Sequence, residues 1–178
     1  MIRVSPVRLI ISMLFSSKTV FMRKKIGIIG LGNPLRRDDG VGLLLLQRLQ
    51  TQKIDLPKNI EYIEGGISGM NLLHLLAQFD TVMLIDAVDF KGKPGDARVF
   101  GLNDIPSLKQ PVILSTHGSD FLNILRLSQE LKELPETLVI FGVQPRDVSH
   151  GIGLSKEIES ILDDLYVKVR KEIQNLIN

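Results

Sequence analysis

Gly30-Leu31-Gly32-Asn33-Pro34-Leu35-Arg36-Arg37-Asp38-Asp39-Gly40-Val41-Gly42 follows a short apolar run at residues 26–29 and opens into Leu43-Leu44-Leu45-Leu46. Strand, glycine turn, then helix is the layout that seats a phosphate at a helix N-terminus in nucleotide-binding folds. Here two carboxylates stand where the phosphate would sit. The partial positive charge of a helix N-terminus favours an anion, and Asp38 and Asp39 already supply it. A further anion would be repelled and a cation attracted. The stretch therefore reads as half of a metal site. As a dinucleotide fingerprint it fails, because the third glycine position holds Leu35. Glu64, at the next strand end, stands where a ribose-binding acid would be.

Outward from this turn, apolar strand-like runs alternate with helical ones. Strands are expected near residues 25–29, 59–63, 81–85, 97–101 and 137–143. Helices are expected near 40–50, 70–79, 119–134 and 156–177. The third helix should bury Phe121, Ile124, Leu125 and Leu131. The last carries Ile158, Leu162, Leu165, Val169, Ile173 and Leu176 at spacings of three and four, an amphipathic stripe. Near-continuously apolar strands are covered on both faces. The expected fold is thus a three-layer α/β/α sandwich of the phosphorylase/hydrolase-like kind, around a mostly parallel sheet. The turn at 91–95 joins two strands with no helix between them, which predicts one antiparallel strand. Ligands in such sheets bind beyond the strand C-termini.

A chain of 178 residues, 44% apolar, can bury about two-thirds of its unfolded surface in one domain. There are no cysteines, which suits a reducing cytoplasm and excludes thiol nucleophiles and thiolate ligands. Any transition-metal site must use His, Asp and Glu. The net charge of +2 is uneven. Residues 1–25 hold six basic groups and no acid, leaving 16 basic against 20 acidic residues over 26–178, a net −4. That weakens any case for nucleic-acid binding by the folded body. Residues 1–22 read as a basic, poorly ordered extension and 23–178 as a single α/β domain. The apolar stretch near residues 7–15 only faintly resembles a secretory signal. No window reaches the ~20 apolar residues that span a bilayer.

Three strand ends carry groups able to converge. The first offers Asp38 and Asp39, the third Asp86 in Ile85-Asp86-Ala87, and the loop after the fourth His117 in Ser115-Thr116-His117. Two carboxylates and an imidazole suit a borderline divalent ion such as zinc or nickel and leave coordination positions open. Each residue alone has a plainer reading: first-turn acids for Asp38 and Asp39, a turn former for Asp86, a loop histidine for His117. Their joint placement at one sheet edge favours the site. His74 reads as a boundary residue of a leucine-rich helix, and His150 as a substrate contact more than a ligand. No Gly-x-Ser-x-Gly elbow, His-Glu-x-x-His or Walker lysine is present.

Over roughly residues 25–165 the ordered motifs resemble the hydrogenase maturation endopeptidases, which trim a C-terminal peptide from the large subunit of nickel–iron hydrogenases. The carrying residues are Gly30-Leu31-Gly32-Asn33-Pro34-Leu35 with Asp38-Asp39-Gly40-Val41-Gly42, Glu64-Gly65-Gly66-Ile67-Ser68-Gly69-Met70, Ile85-Asp86-Ala87, Ser115-Thr116-His117, and Gly142-Val143-Gln144-Pro145 through Gly151-Ile152-Gly153-Leu154-Ser155. The resemblance implies an aspartic or metallo-type endopeptidase in the cytoplasm, with Asp39, Asp86 and His117 as both catalytic and metal-contacting residues. It implies that Glu64, Gly65 and Gly66 contact substrate. Nickel would arrive already bound in the precursor of the large subunit, with zinc or cadmium as surrogates, either as a recognition element or as a Lewis acid. Glu64 departs from the Asp usual in the family. Asp39 is one methylene, about 1.5 Å, shorter than the Glu found in some members. Two rival readings are a peptidyl-tRNA hydrolase-like enzyme, whose first strand also ends in Gly-Leu-Gly-Asn-Pro, and a non-catalytic nickel-sensing module.

Overall fold

The structure, a computed structural model, describes residues 24–52, 57, 59–67, 69–102, 104, 113–114 and 118–177. The expected extension at 1–22, and the Ser115-Thr116-His117 segment, lie outside these residues.

Strands β1 (Ile26–Leu31), β2 (Ile60–Gly66), β3 (Thr81–Asp89), β4 (Ala97–Gly101) and β6 (Thr137–Val143) form one sheet in the order β2-β1-β3-β6-β4. β1 pairs in parallel with β2 and β3, and β3 in parallel with β6. β4 is antiparallel, as the turn at 91–95 predicts, but its partner is β6 and not β3. β6 lies between the two strands that the turn connects. The two-residue β5 (Ile113–Leu114) pairs antiparallel with Val88 and Asp89 at the end of β3.

Helices cover both faces. On one, α1 (Val41–Thr51), α4 (Lys156–Glu159) and α5 (Leu162–Ile177) bury Val41, Leu45, Leu49, Ile158, Leu165, Val169 and Ile173 against Ile26, Ile28, Met83, Ile85 and Phe141. On the other, α2 (Met70–Leu76) and α3 (Gly118–Leu131) bury Leu72, Leu76, Phe121, Ile124 and Leu125 against Ile29, Leu31, Leu84, Val88 and Ile140. All six residues of β1 are buried, which is why its sequence reads as continuously apolar. The expected sandwich is the observed one.

Three helix expectations need correction. The last helix is two, broken at residues 160–161. Ile161 donates its N–H to the Ile158 carbonyl at 3.3 Å, a tightened turn, and Leu165 N–H resumes the α pattern on Ile161 at 3.0 Å. The break lets both Ile158 and Ile161 reach the turn at Gly95, where a Cβ would lie 2.2 Å from Ile161 Cδ1. The second helix ends at Leu76 rather than 79. The third stops at Leu131, which is exposed, while the buried stripe runs through Ser128. Lys132, at φ 59°, ends this helix. Glu133 N–H bonds the Ser128 carbonyl and Lys132 N–H that of Gln129, at 2.9 and 3.1 Å. This is the left-handed closure that glycine usually supplies. Lys132→Gly should therefore raise stability by about 0.5–1 kcal/mol, read as a higher urea midpoint at unchanged slope. A lower midpoint would contradict this reading of the helix end.

Candidate active site

β1 delivers the chain to its C-terminal edge at Leu31, where Gly32, at φ 127°, turns it. No other residue fits there, because a Cβ at position 32 would come 1.8 Å from the Asp39 carbonyl oxygen. Asn33 shapes the return. Its side-chain oxygen accepts from Leu35 N–H at 2.9 Å and its carbonyl from Arg36 N–H at 3.0 Å. A short 3₁₀ helix, Arg37–Gly40, then leads into α1. Gly42 brings this helix down onto the sheet; its α-hydrogens face the carbonyl oxygens of Ile85 and Leu31, which a Cβ would approach to 2.2 and 2.4 Å.

Asp39 is thereby buried, at 1% exposure, with Oδ2 accepting the Asn33 N–H at 3.1 Å. Asp86 is buried on β3, at 3% exposure, with Oδ1 accepting the Ala87 N–H at 2.8 Å. The strand does not stop at Ile85 as expected. It continues to Asp89, held by β6 (Asp86 opposite Gly142) and by β5. On its other side, pairing to β1 ends at Ile85. Asp86 thus sits one residue past the last β1–β3 pair, level with Leu31 at the end of β1 and beside the turn that carries Asp39. Burial pushes its carboxyl well above the usual carboxylate range, and the charge of Asp39 pushes it further up, against a smaller opposing pull from the Ala87 N–H.

Alternate residues of a strand share a face, so Asp86 faces the same side as Leu84 and Val88. That is the α2/α3 side. The first residue of α3 is Gly118, covalently next to His117, and Leu114 of β5 pairs with Val88. His117 itself lies outside the described residues. Among the described residues, no three His, Cys, Asp or Glu side chains come together to hold a metal ion.

The two adjacent acids of the opening motif have different surroundings. Asp38, 0% exposed, binds the loop after β6. Its Oδ2 accepts Arg146 N–H and Asp147 N–H, both at 2.9 Å, and the Ser155 hydroxyl at 2.8 Å, while Oδ1 accepts Ser155 N–H at 2.7 Å. The backbones are zipped as well, with Arg37 N–H on Gly151 O, Asp38 N–H on Asp147 O and Gly151 N–H on Leu35 O. Neither this buried latch nor the part of Gln144 is legible in the motif. Gln144 Oε1 accepts Phe90 N–H and Gly92 N–H at 3.0 Å each and its Nε2 donates to Asp89, fixing the β3–β4 turn. One local signal did exist: Ser155 is an N-cap, its hydroxyl accepting from Ile158 N–H.

Glu64 is exposed at the end of β2 and takes a 3.4 Å hydrogen bond from Gln47 Nε2. Gly65 packs closely on Leu31 and Ile29, and Gly66 adopts φ 59° with open space around it. His74 and His150 are exposed. Large apolar side chains are exposed in the segments that follow three strand C-termini: Leu35 (60%) after β1, Ile67 and Met70 (51% and 60%) after β2, Ile152 (86%) after β6. No helix of the described residues is long and apolar enough to cross a membrane.

Comparison with known proteins gives a consistent picture. A family model described as hydrogenase maturation protease (HycI) matches residues 44–172, a stretch that begins after Asp39 and includes Asp86. The chain is 30% identical over 140 residues to a hydrogenase 2 maturation protease of Escherichia coli K12, spanning 78% of this chain and 84% of that protein. It is 25% identical over 155 residues to a hydrogenase expression/formation protein HupD of Rhodobacter capsulatus, spanning 86% and 73%. A solved structure of the hydrogenase maturating endopeptidase HybD from E. coli superposes with a TM-score of 0.75 at 28% identity, covering 85% of this chain and 93% of that one.

Proposed function

Because the chain belongs to the hydrogenase maturation protease family, we propose that this cytoplasmic endopeptidase removes the C-terminal extension of a nickel-loaded hydrogenase large-subunit precursor, reading the nickel with Asp39, Asp86 and His117. The observation that carries this reading is the buried acidic pair at the sheet edge. Asp86 is 3% exposed and is pushed toward its protonated form by burial and by Asp39. Holding like charges out of water is costly unless a proton or a cation joins them. A dication presented by the substrate would take the place of that proton. His117 would complete an O,O,N donor set suited to nickel; in sequence it follows β5, which pairs with the end of β3, and precedes α3, whose buried residues pack on the Asp86 face.

The chemistry asked of the chain is peptide hydrolysis: water must add to a carbonyl carbon and a proton must reach the departing amine. A buried carboxyl whose affinity for protons has been raised is suited to holding and passing such a proton. A metal bound beside it would polarise the carbonyl or acidify a water. The exposed Leu35, Ile67, Met70 and Ile152 border the same edge, which suits a protein substrate better than a small one. Glu64, Gly65 and Gly66 would meet the substrate's extension on the β2 side.

The test is to incubate the protein with nickel-replete and nickel-free precursor and weigh their C-termini. We expect the first to be shortened and the second left intact. Equal treatment of both, cut or uncut, overturns nickel reading.

A further inference from the structure

We propose that Asp38 is the positioning residue of this site: its buried carboxylate clamps the 146–155 loop to the 3₁₀ turn and so sets the aim of Asp39. The proposal rests on the reading of Asp39 given above, but its geometry stands apart from it. Four donors converge on Asp38, at 2.7–2.9 Å, and three are backbone N–H groups of Arg146, Asp147 and Ser155. Among the described residues, no salt bridge involves this carboxylate. A carboxylate can accept all four bonds because it is acceptor on both oxygens. The clamp acts across more than a hundred residues of sequence. It also acts at the residue next to Asp39, whose carbonyl oxygen lies so close to Gly32 that a Cβ there would come within 1.8 Å of it. Asp39 is thus gripped between a glycine that admits its backbone and a loop that cannot move while Asp38 holds it.

The same loop carries two candidate substrate contacts, His150 and the 86% exposed Ile152, flanked by Gly151 and Gly153 at φ 159° and 81°. Arg36 and Arg37 add weaker ties, a 3.2 Å hydrogen bond to the Val148 carbonyl and a 3.2 Å half-exposed ion pair with Asp147. These ties are peripheral; the buried one is Asp38. Asn is nearly the same shape as Asp but turns one oxygen into a donor. In Asp38→Asn that NH₂ must face N–H or O–H groups that are themselves donors. The isosteric change should therefore open the clamp nearly as far as Ala would.

The reporter of Asp39 is the Asn33 amide, which donates to Asp39 Oδ2 at 3.1 Å. In Asp38→Asn we expect the Asn33 amide to lose at least tenfold of its hydrogen-exchange protection, together with the Arg146, Asp147 and Ser155 amides, while the β1 and β3 amides stay protected. Precursor cleavage should fall at least tenfold in kcat, with KM changed less than threefold. Ser155→Ala removes one donor of the four and should give a smaller change of the same pattern; it decides the matter if Asp38→Asn does not fold. Unchanged Asn33 protection, or a loss confined to KM, would overturn the proposal. A parent protein that leaves precursor uncut would instead remove the proposed function, and the Asn33 amide would still decide this one.

Discussion

An Asp86→Asn variant should be more stable than its parent at neutral pH and yet cut precursor about 10²–10⁴-fold more slowly, the range for losing a positioned acid–base group. Burial and the neighbouring Asp39 raise the proton affinity of Asp86 in the folded protein above its ordinary value of 3.8. Between that value and the higher folded one, the native state holds a proton that the unfolded chain has released. Stability then falls as pH rises through this window, and the penalty is complete above it. Below pH 3.8 both states are protonated and the penalty is absent. Asn cannot ionise, so parent and variant should have similar urea midpoints near pH 3.5 and diverge upward in pH, the variant being the more stable. A variant less stable than its parent at pH 7 would contradict the placement of Asp86. A site that costs stability and supplies activity is the common trade at catalytic residues.

Gly42→Ala should fail to fold. The added carbon would lie 2.2 Å from the Ile85 carbonyl oxygen and 2.4 Å from that of Leu31. Both obstacles are backbone of the adjacent strands β3 and β1, so neither can swing aside, and α1 must lift. Lifting it uncovers Val41, Leu45, Leu46 and Leu49, all buried. The expected loss exceeds about 4 kcal/mol, against a usual total of about 5–15 kcal/mol. Gly66→Ala is the matched control. It too alters a glycine at the sheet's C-terminal edge, at φ 59°, but meets nothing within 4 Å. Its cost should be about 1–2 kcal/mol, from the backbone conformation alone, and the protein should remain folded. Amide dispersion in a proton–nitrogen spectrum and thermal melting of the two variants check this. A folded Gly42→Ala protein with parental melting would contradict the packing of α1 on the sheet.

Much of the fold was legible because its three inner strands are buried on both faces. The runs in β1, β3 and β6 had no polar face to blur them, and glycines marked where the chain leaves the sheet. Asp39 and Asp86 were expected just beyond strand C-termini; Asp39 does follow β1, in the 3₁₀ turn, while Asp86 lies within β3, three residues before its end. What stayed hidden depended on partners far away in sequence. Asp38 and Asp39 look alike as a pair, and only the 146–155 loop, more than a hundred residues on, tells the clamp from the site. The partner of β4 was hidden because a short turn suggests a hairpin, while β6 inserts between its strands through pairing alone. The break at residues 160–161 was hidden because a stripe at spacings of three and four continues through it. Leu131 misled for a different reason. Its hydrophobicity suggested the core, but the left-handed turn at Lys132 ends the helix there, and Ser128 takes the buried place.

If Asp39, Asp86 and His117 touch one ion, crystals grown with cadmium should reveal it through the metal's anomalous signal. A single strong peak is expected at the C-terminal edge of β1 and β3, bonded by a carboxylate oxygen of each Asp and a ring nitrogen of His117. A peak elsewhere, or an ion held by the carboxylates while His117 bonds to something else, would contradict it.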